Sequence, residues 1–191
     1  MTAVEPFASR LDFGTGILRP SSLVLRRNLS DMANVYAEEV ARRKLIEETG
    51  DTLVYQVYVV ELPETEGHLL HCATVIHPGR VGHEYFMTKG HFHVKRDRAE
   101  VYLGLVGEGH LILQRDDGTV ISLPMGPGTV AYVPPYWAHR TANTGAGPFA
   151  FFAAWPGDAG HDYETIEEKG FAKILVCRDG RPALVENPNI R

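Results

Sequence analysis

The amino-acid sequence predicts an all-β fold, an antiparallel sandwich or barrel with one substantial helix near its N-terminus. Short runs of β-branched and aromatic residues recur from Asp51 onward. Nineteen Gly and 12 Pro punctuate them, and hairpin signals such as Gly107-Glu108-Gly109 and Asp116-Asp117-Gly118 join neighbouring runs. That grammar belongs to strands and turns, not to βαβ units.

Taken in order, residues 10–28 read as a short strand and extended segments, broken at Pro20. A helix follows. Ser30 and Asp31 supply capping side chains, Met32, Val35, Tyr36, Val40 and Ala41 recur at helical spacing, and Gly50 suits its end. Strands are then expected at 54–62, 68–76, 83–94, 99–106, 110–114, 119–123, 129–133, 148–155 and 171–177, with Ala183–Glu186 closing the series. The glycines of 104–109 are hairpin glycines and form no dinucleotide fingerprint, because no helix follows them.

At 191 residues the chain fits a single domain over 1–191, with an N-terminal extension of about residues 1–50 packing on the barrel or across a dimer. A net charge of −5 argues against nucleic acid as a partner. No run is long and apolar enough for a membrane span, and no signal pattern opens the sequence. Cys72 and Cys177 make no disulfide framework, so a reducing, cytoplasmic setting is expected.

His91-Phe92-His93 places two imidazoles on one face of a strand, since alternate side chains share a face. Glu100 opens the next strand and can return a carboxylate to the same end of the sheet. His139 follows the turn Pro134-Pro135-Tyr136-Trp137. Three neutral nitrogens and one anionic oxygen suit a divalent first-row metal, with room left for water or substrate. The absence of Cys argues against structural zinc, and so many imidazoles argue against calcium.

Two spaced patterns raise this reading: Glu100 with Gly107, and Gly128 with Pro134, Tyr136, His139 and Asn143. Both fall where the two motifs of the cupin family place Glu, Gly, Pro, His and Asn. The long gap from His93 to Glu100, and Tyr136 in place of a common glycine, depart from the usual pattern. TKGHFHVKRDRAEVY (88–102), VPPYWAHRTAN (133–143) and DAGHDYETIEEKGFAKI (158–174) resemble the cupin-type phosphoglucose isomerases described from archaea and some bacteria. The resemblance runs from LDFGTG (11–16) to VENP (185–188).

That resemblance implies a jelly-roll cupin barrel with an N-terminal helix and short extra helices. It further implies a homodimer interconverting glucose 6-phosphate and fructose 6-phosphate in glycolysis and gluconeogenesis. One divalent metal per subunit is implied, Fe2+ first and Mn2+, Ni2+ or Zn2+ otherwise, on His91, His93, Glu100 and His139. Thr74, Thr88 and Gly90 correspond to phosphate contacts. Glu100, Tyr102, His161 and Tyr163 correspond to sugar-contacting or proton-handling positions. Trp155 stands where the family has a tyrosine.

The residues themselves agree in part. Thr88, Lys89 and Gly90 combine a hydroxyl, a positive charge and close backbone approach just before the first imidazole. Lys95, Arg96 and Arg98 form a basic patch, either a steering surface or a solvated loop, with Asp97 able to pair with them. Tyr102 shares a face with Glu100 and should point inward. His68, His71, His77, His83 and His110 read as surface or structural residues, whereas His161 lies in an irregular Gly- and Asp-rich segment beside Tyr163.

Isomerisation can proceed by proton transfer through a cis-enediol, with Glu100 as base, or by direct hydride shift. A cupin dioxygenase with the same ligand set, or a non-catalytic sugar-binding cupin, are the rival readings.

Overall fold

The computed structural model describes residues 4–190 and is built almost wholly of antiparallel strands. Among the described residues the strands are β1 (Arg10–Leu11), β2 (Leu18–Arg19), β3 (Leu23–Asn28), β4 (Leu53–Val59), β5 (Leu69–Ile76), β6 (Arg80–Val81), β7 (Glu84–Tyr85), β8 (Glu100–Val106), β9 (Gly109–Gln114), β10 (Val120–Met125), β11 (Val130–Val133), β12 (Ala138–Asn143), β13 (Phe149–Pro156), β14 (Lys173–Arg178) and β15 (Arg181–Glu186). Helix α1 (Glu39–Thr49) lies between β3 and β4, and the short α2 (Glu164–Lys169) between β13 and β14. No helix is long and apolar enough to cross a membrane among the described residues.

A six-stranded sheet in the order β11-β8-β13-β5-β4-β3 faces a three-stranded sheet, β10-β9-β12, across one shared core. A smaller sheet, β15-β14-β7-β6, and the hairpin β1-β2 complete the set. Strand alternation dictates what enters the interior. In β8, Glu100 and Tyr102 are buried while Val101 between them is exposed. In β13, Phe151, Ala153 and Trp155 face inward.

The N-terminal arm lies on the outer face of the six-stranded sheet. Leu18 is buried against Val60 and Ala73, and Leu11 packs beside them. Gly16, at φ +74°, comes so close to Ala150 that any side chain would collide with it. Leu18 is thus covered within the chain, whereas Phe7, Phe13 and Leu23 of the same arm stay exposed.

The structure corrects the sequence reading at several places. The helix expected from Ser30 starts at Glu39 instead. Residues Leu29–Met32 form a separate 3-10 turn, after which Ala33 is extended and Asn34 adopts φ +63°. Asp31 still caps, accepting the Asn28 N–H at 2.8 Å, but Ser30 is drawn away to Asp51, to which its hydroxyl donates at 2.7 Å. Met32 and Tyr36 are core residues of the turn, while Val40 is exposed. Gly50 ends α1 as expected, its N–H reaching the Ile46 carbonyl at 2.9 Å.

The segment 83–94 is not one strand. Beyond β7 the chain makes only single bridges, Met87 to Ala142, His91 to His139 and Phe92 to Asp162, because Gly90 turns it at φ +82°. Conversely, β12 was not visible as a strand. Its sequence AHRTAN has no apolar alternation, yet every residue is buried, since β9 lies along one edge and the 87–91 segment along the other.

Candidate active site

A cavity of about 530 Å³ opens on the inner face of the six-stranded sheet. Alternation assigns its walls: Leu23, Leu25 and Arg27 from β3; Tyr55, Val57 and Val59 from β4; Cys72 and Thr74 from β5; Glu100 and Tyr102 from β8. The segment 88–91, His139, and the His161 to Glu167 stretch close the remaining sides.

Three residues of its lining, His91, Glu100 and His139, form a group with His93 in which one donor atom from each lies within 4.8 Å of all the others. The His91–His139 bridge brings the first and last together. Glu100 Oε2 is 3.2 Å from His93 Nε2 and 3.0 Å from His139 Nε2. The opposite ring nitrogens decide the protonation. His93 Nδ1 donates to the Arg98 carbonyl at 2.9 Å, and His139 Nδ1 to the Trp137 carbonyl at 3.3 Å.

A carbonyl only accepts, so in each neutral ring the lone pair sits on Nε2, aimed at the Glu100 carboxylate. A carboxylate flanked by two such nitrogens calls for positive charge, on a bound cation or on the His93 ring itself, where burial lowers the pKa but the Glu100 carboxylate and the Arg98 carbonyl raise it overall. His91 Nε2 and His139 Nε2 are buried without hydrogen-bond partners. The residues therefore fit a divalent cation held by three nitrogens and one oxygen.

Burial lowers the His91 pKa well below its ordinary value, and the neighbouring imidazoles His139, His161 and His93 push it further down. A neutral imidazole is the ligating form. Burial alone would raise the Glu100 carboxyl, but His139 and His93 outweigh it and draw it down to about 2. Tyr102 is raised far above the usual phenol range, first by burial and then by Glu100.

The sugar-facing residues named from the sequence also line this cavity: Thr74, Thr88, Gly90, Tyr102, His161 and Tyr163. His161 lies between the rings of His91 and Trp155, at centroid distances of 4.5 and 5.6 Å, and stacks on Tyr163. Thr88 Oγ1 accepts the Thr141 N–H at 3.0 Å, leaving its own hydroxyl proton free. Gly90 is needed where it is, since a Cβ there would press on Arg140 and Phe171 at 3.0 Å. Arg140 Nη2 holds the Lys89 carbonyl at 2.8 Å from behind.

Two cavity residues escaped the sequence reading. Arg27 stands opposite Tyr55 in the β3–β4 ladder, and both face inward. The alternation Leu23, Leu25, Arg27 was the available signal, and it was hidden in a segment read only as extended. Trp155 puts its indole N–H among buried groups with no partner among the described residues. The charges of the basic loop are paired: Lys95 and Arg98 converge on Asp158, Arg96 pairs with Asp162 at 2.9 Å, and Arg98 meets Asp97 at 3.0 Å, with Lys95 and Asp97 still exposed. His71 rests between Phe7 and Phe152, and His110 bonds Ser122 at 2.8 Å, both in structural roles.

A family model, "Glucose-6-phosphate isomerase (GPI)", matches residues 26–190. The chain belongs to this family. Curated relatives agree over nearly its full length. The glucose-6-phosphate isomerase of Thermococcus litoralis is 53% identical over 98% of this chain and 97% of the relative. Those of Pyrococcus horikoshii and Pyrococcus furiosus are each 52% identical over 96% of both chains. In this member of the glucose-6-phosphate isomerase family, three of the four residues that could hold a metal ion, His91, Glu100 and His139, line the same cavity as the residues expected to face the sugar.

Proposed function

We propose that this chain interconverts glucose 6-phosphate and fructose 6-phosphate, with a divalent metal held by His91, His93, Glu100 and His139. The observation that carries the reading is the convergence of three imidazoles and one buried carboxylate, with donor atoms within 4.8 Å of one another, beside a cavity whose lining includes Arg27, Lys89 and two threonine hydroxyls. Iron is the first candidate metal, with manganese, nickel and zinc able to use the same donors. When bound there, the cation supplies a Lewis acid for the two neighbouring oxygens of an open-chain sugar.

The chain's own residues supply the rest. Arg27, Lys89, Thr74, Thr88 and the Gly90 backbone form the end of the cavity suited to a phosphate, and contacts there can orient the reacting carbons. Glu100 is clasped by two imidazoles and serves as a ligand rather than as a free base. His161 and Tyr163 stack beside His91 without being part of the ligand group, and are the groups placed to hold or move a proton at the sugar. Tyr102 flanks His139 at a ring separation of 5.8 Å and bounds the sugar from the β8 side. Trp155 offers an indole donor to a sugar hydroxyl.

We further propose one domain acting as a homodimer in the cytoplasm. Val101, Val130 and Tyr132 form an exposed apolar patch on β8 and β11, the kind of surface that association covers. The deciding experiment is anaerobic: metal-loaded protein is mixed with fructose 6-phosphate and aldose phosphate is measured. Isomerisation needs no oxidant, so product should form. A dioxygenase would be silent without oxygen, and a passive binder would return the ketose unchanged. No product across iron, manganese, nickel and zinc forms would overturn the isomerase reading.

A further inference from the structure

The loop between His93 and Glu100 carries more charge than a connection requires, and the structure shows where that charge goes. The carboxylate of Asp158, nearly buried, accepts from Lys95 Nζ at 2.7 Å and from Arg98 Nε and Nη2 at 3.0 and 2.8 Å. These are charge-assisted bonds, and the Arg98 pair uses both sides of its fork. The main chain reinforces them. Lys95 donates to the Ala159 carbonyl at 2.9 Å, while Phe92 and Asp162 exchange bonds at 3.1 and 2.8 Å.

Arg98 does a second thing: its carbonyl accepts the His93 Nδ1–H and so sets that ring's tautomer and direction. The residue whose side chain Asp158 grips is the residue whose backbone aims His93. On the other side, Asp158 opens the segment that delivers His161 and Tyr163 to the cavity. One carboxylate thus sits between the orientation of a ligand and the placement of the sugar-facing loop.

We propose that Asp158 is a positioning residue that couples, through Arg98, the orientation of His93 to the placement of His161 and Tyr163. It touches neither metal nor sugar. The inference rests on the metal reading of the ligand group, and its test separates the two. A partner that fixes a ligating imidazole typically changes metal affinity by about 10–100-fold when removed.

The experiment titrates wild type, Asp158→Asn, Asp158→Glu and Asp97→Asn with cobalt(II) against a competing chelator. The cobalt absorption spectrum is recorded, and kcat and KM are measured separately on the loaded proteins. Asp158→Asn leaves the Arg98 carbonyl in place and acts one step behind it, so it should weaken cobalt binding by up to about tenfold, alter the spectrum and raise KM for fructose 6-phosphate. Asp158→Glu should recover most of the affinity. Asp97→Asn, which removes an exposed carboxylate from the same Arg98, should leave affinity unchanged. Should Asp158→Asn not fold, Arg98→Lys, which keeps the charge and loses the fork, is read in the same way. Wild-type affinity and spectrum in Asp158→Asn, or in Arg98→Lys if that stands in, would overturn the coupling. A wild-type protein that takes up no cobalt would overturn the metal reading itself, and the coupling with it.

Discussion

His91 and His139 hold each other by the backbone: each N–H donates to the other's carbonyl, at 3.2 and 3.0 Å, while their rings meet edge to face at 4.5 Å. The bridge joins segments that lie far apart in sequence and needs no side chain to form. Truncating His139 should therefore remove a ligand without undoing the pairing that places it. His139→Ala is expected to lower metal occupancy and isomerase activity together, by more than about tenfold, with circular dichroism unchanged. Full metal content with full activity would take His139 out of the site.

Arg27 contributes the guanidinium on the cavity wall, opposite Tyr55. If phosphate is bound there, Arg27→Met should raise KM for fructose 6-phosphate by about 10–100-fold, the scale of roughly 1.5–3 kcal/mol for a hydrogen bond to a charged group. Turnover of unphosphorylated fructose should not change. Thr88→Val should act in the same direction and also lose the acceptor of the Thr141 N–H, with some loss of stability. Equal loss on both sugars would place Arg27 elsewhere in the mechanism.

Much of this site was legible in the sequence because its chemistry is local. His91 and His93 sit two residues apart, and Gly107, Gly128 and Pro134 mark turns by composition alone. Strands β4, β5, β8 and β13 were visible for the same reason, since one face is apolar and the period is short. What escaped was set by partners distant in sequence. Strand β12 is buried on every side, polar residues included, and so leaves no alternation to read. The end of α1 was legible from Gly50, whereas its start depended on Asp51 capturing Ser30. Arg98 could not be distinguished from a solvated charge until Asp158 was seen beside it.

The hairpin between β8 and β9 turns on Gly107, whose φ is +76° and whose missing Cβ leaves room for the Pro148 carbonyl. Gly118, at φ +82°, faces open space. The pair separates two costs. Gly118→Ala should lose only the left-handed conformational term, about 1–2 kcal/mol. Gly107→Ala should lose that and the backbone collision, roughly 3 kcal/mol or more in total. Urea denaturation of both variants reads the difference, and equal losses would show that the β13 end moves aside freely.

Glu84 is the buried carboxyl that the proposed chemistry does not use. Burial raises it to about 7, and the Ala37 N–H, Arg140 and the Glu38 N–H pull it back only in part; the Glu38 carboxylate opposes them. Tyr36 lies near enough for the carboxylate to act on its phenol. Oε1 accepts the Ala37 N–H at 2.6 Å, while Oε2 is buried with no partner, an arrangement suited to the neutral acid. Between the ordinary value of 4.5 and about 7 the folded chain keeps a proton that the unfolded chain has released. Protein stability from this group is therefore full below the lower value and falls as pH rises through the upper one. The span corresponds to a loss on the order of 3 kcal/mol. Glu84→Gln keeps the acceptor and cannot ionise, so it should gain on the wild type by that amount between pH 5 and pH 8, measured by urea denaturation at each pH. A stability difference between the two proteins that does not change with pH would mean that Glu84 is ionised in the folded chain throughout, with Arg140 as its counter-ion.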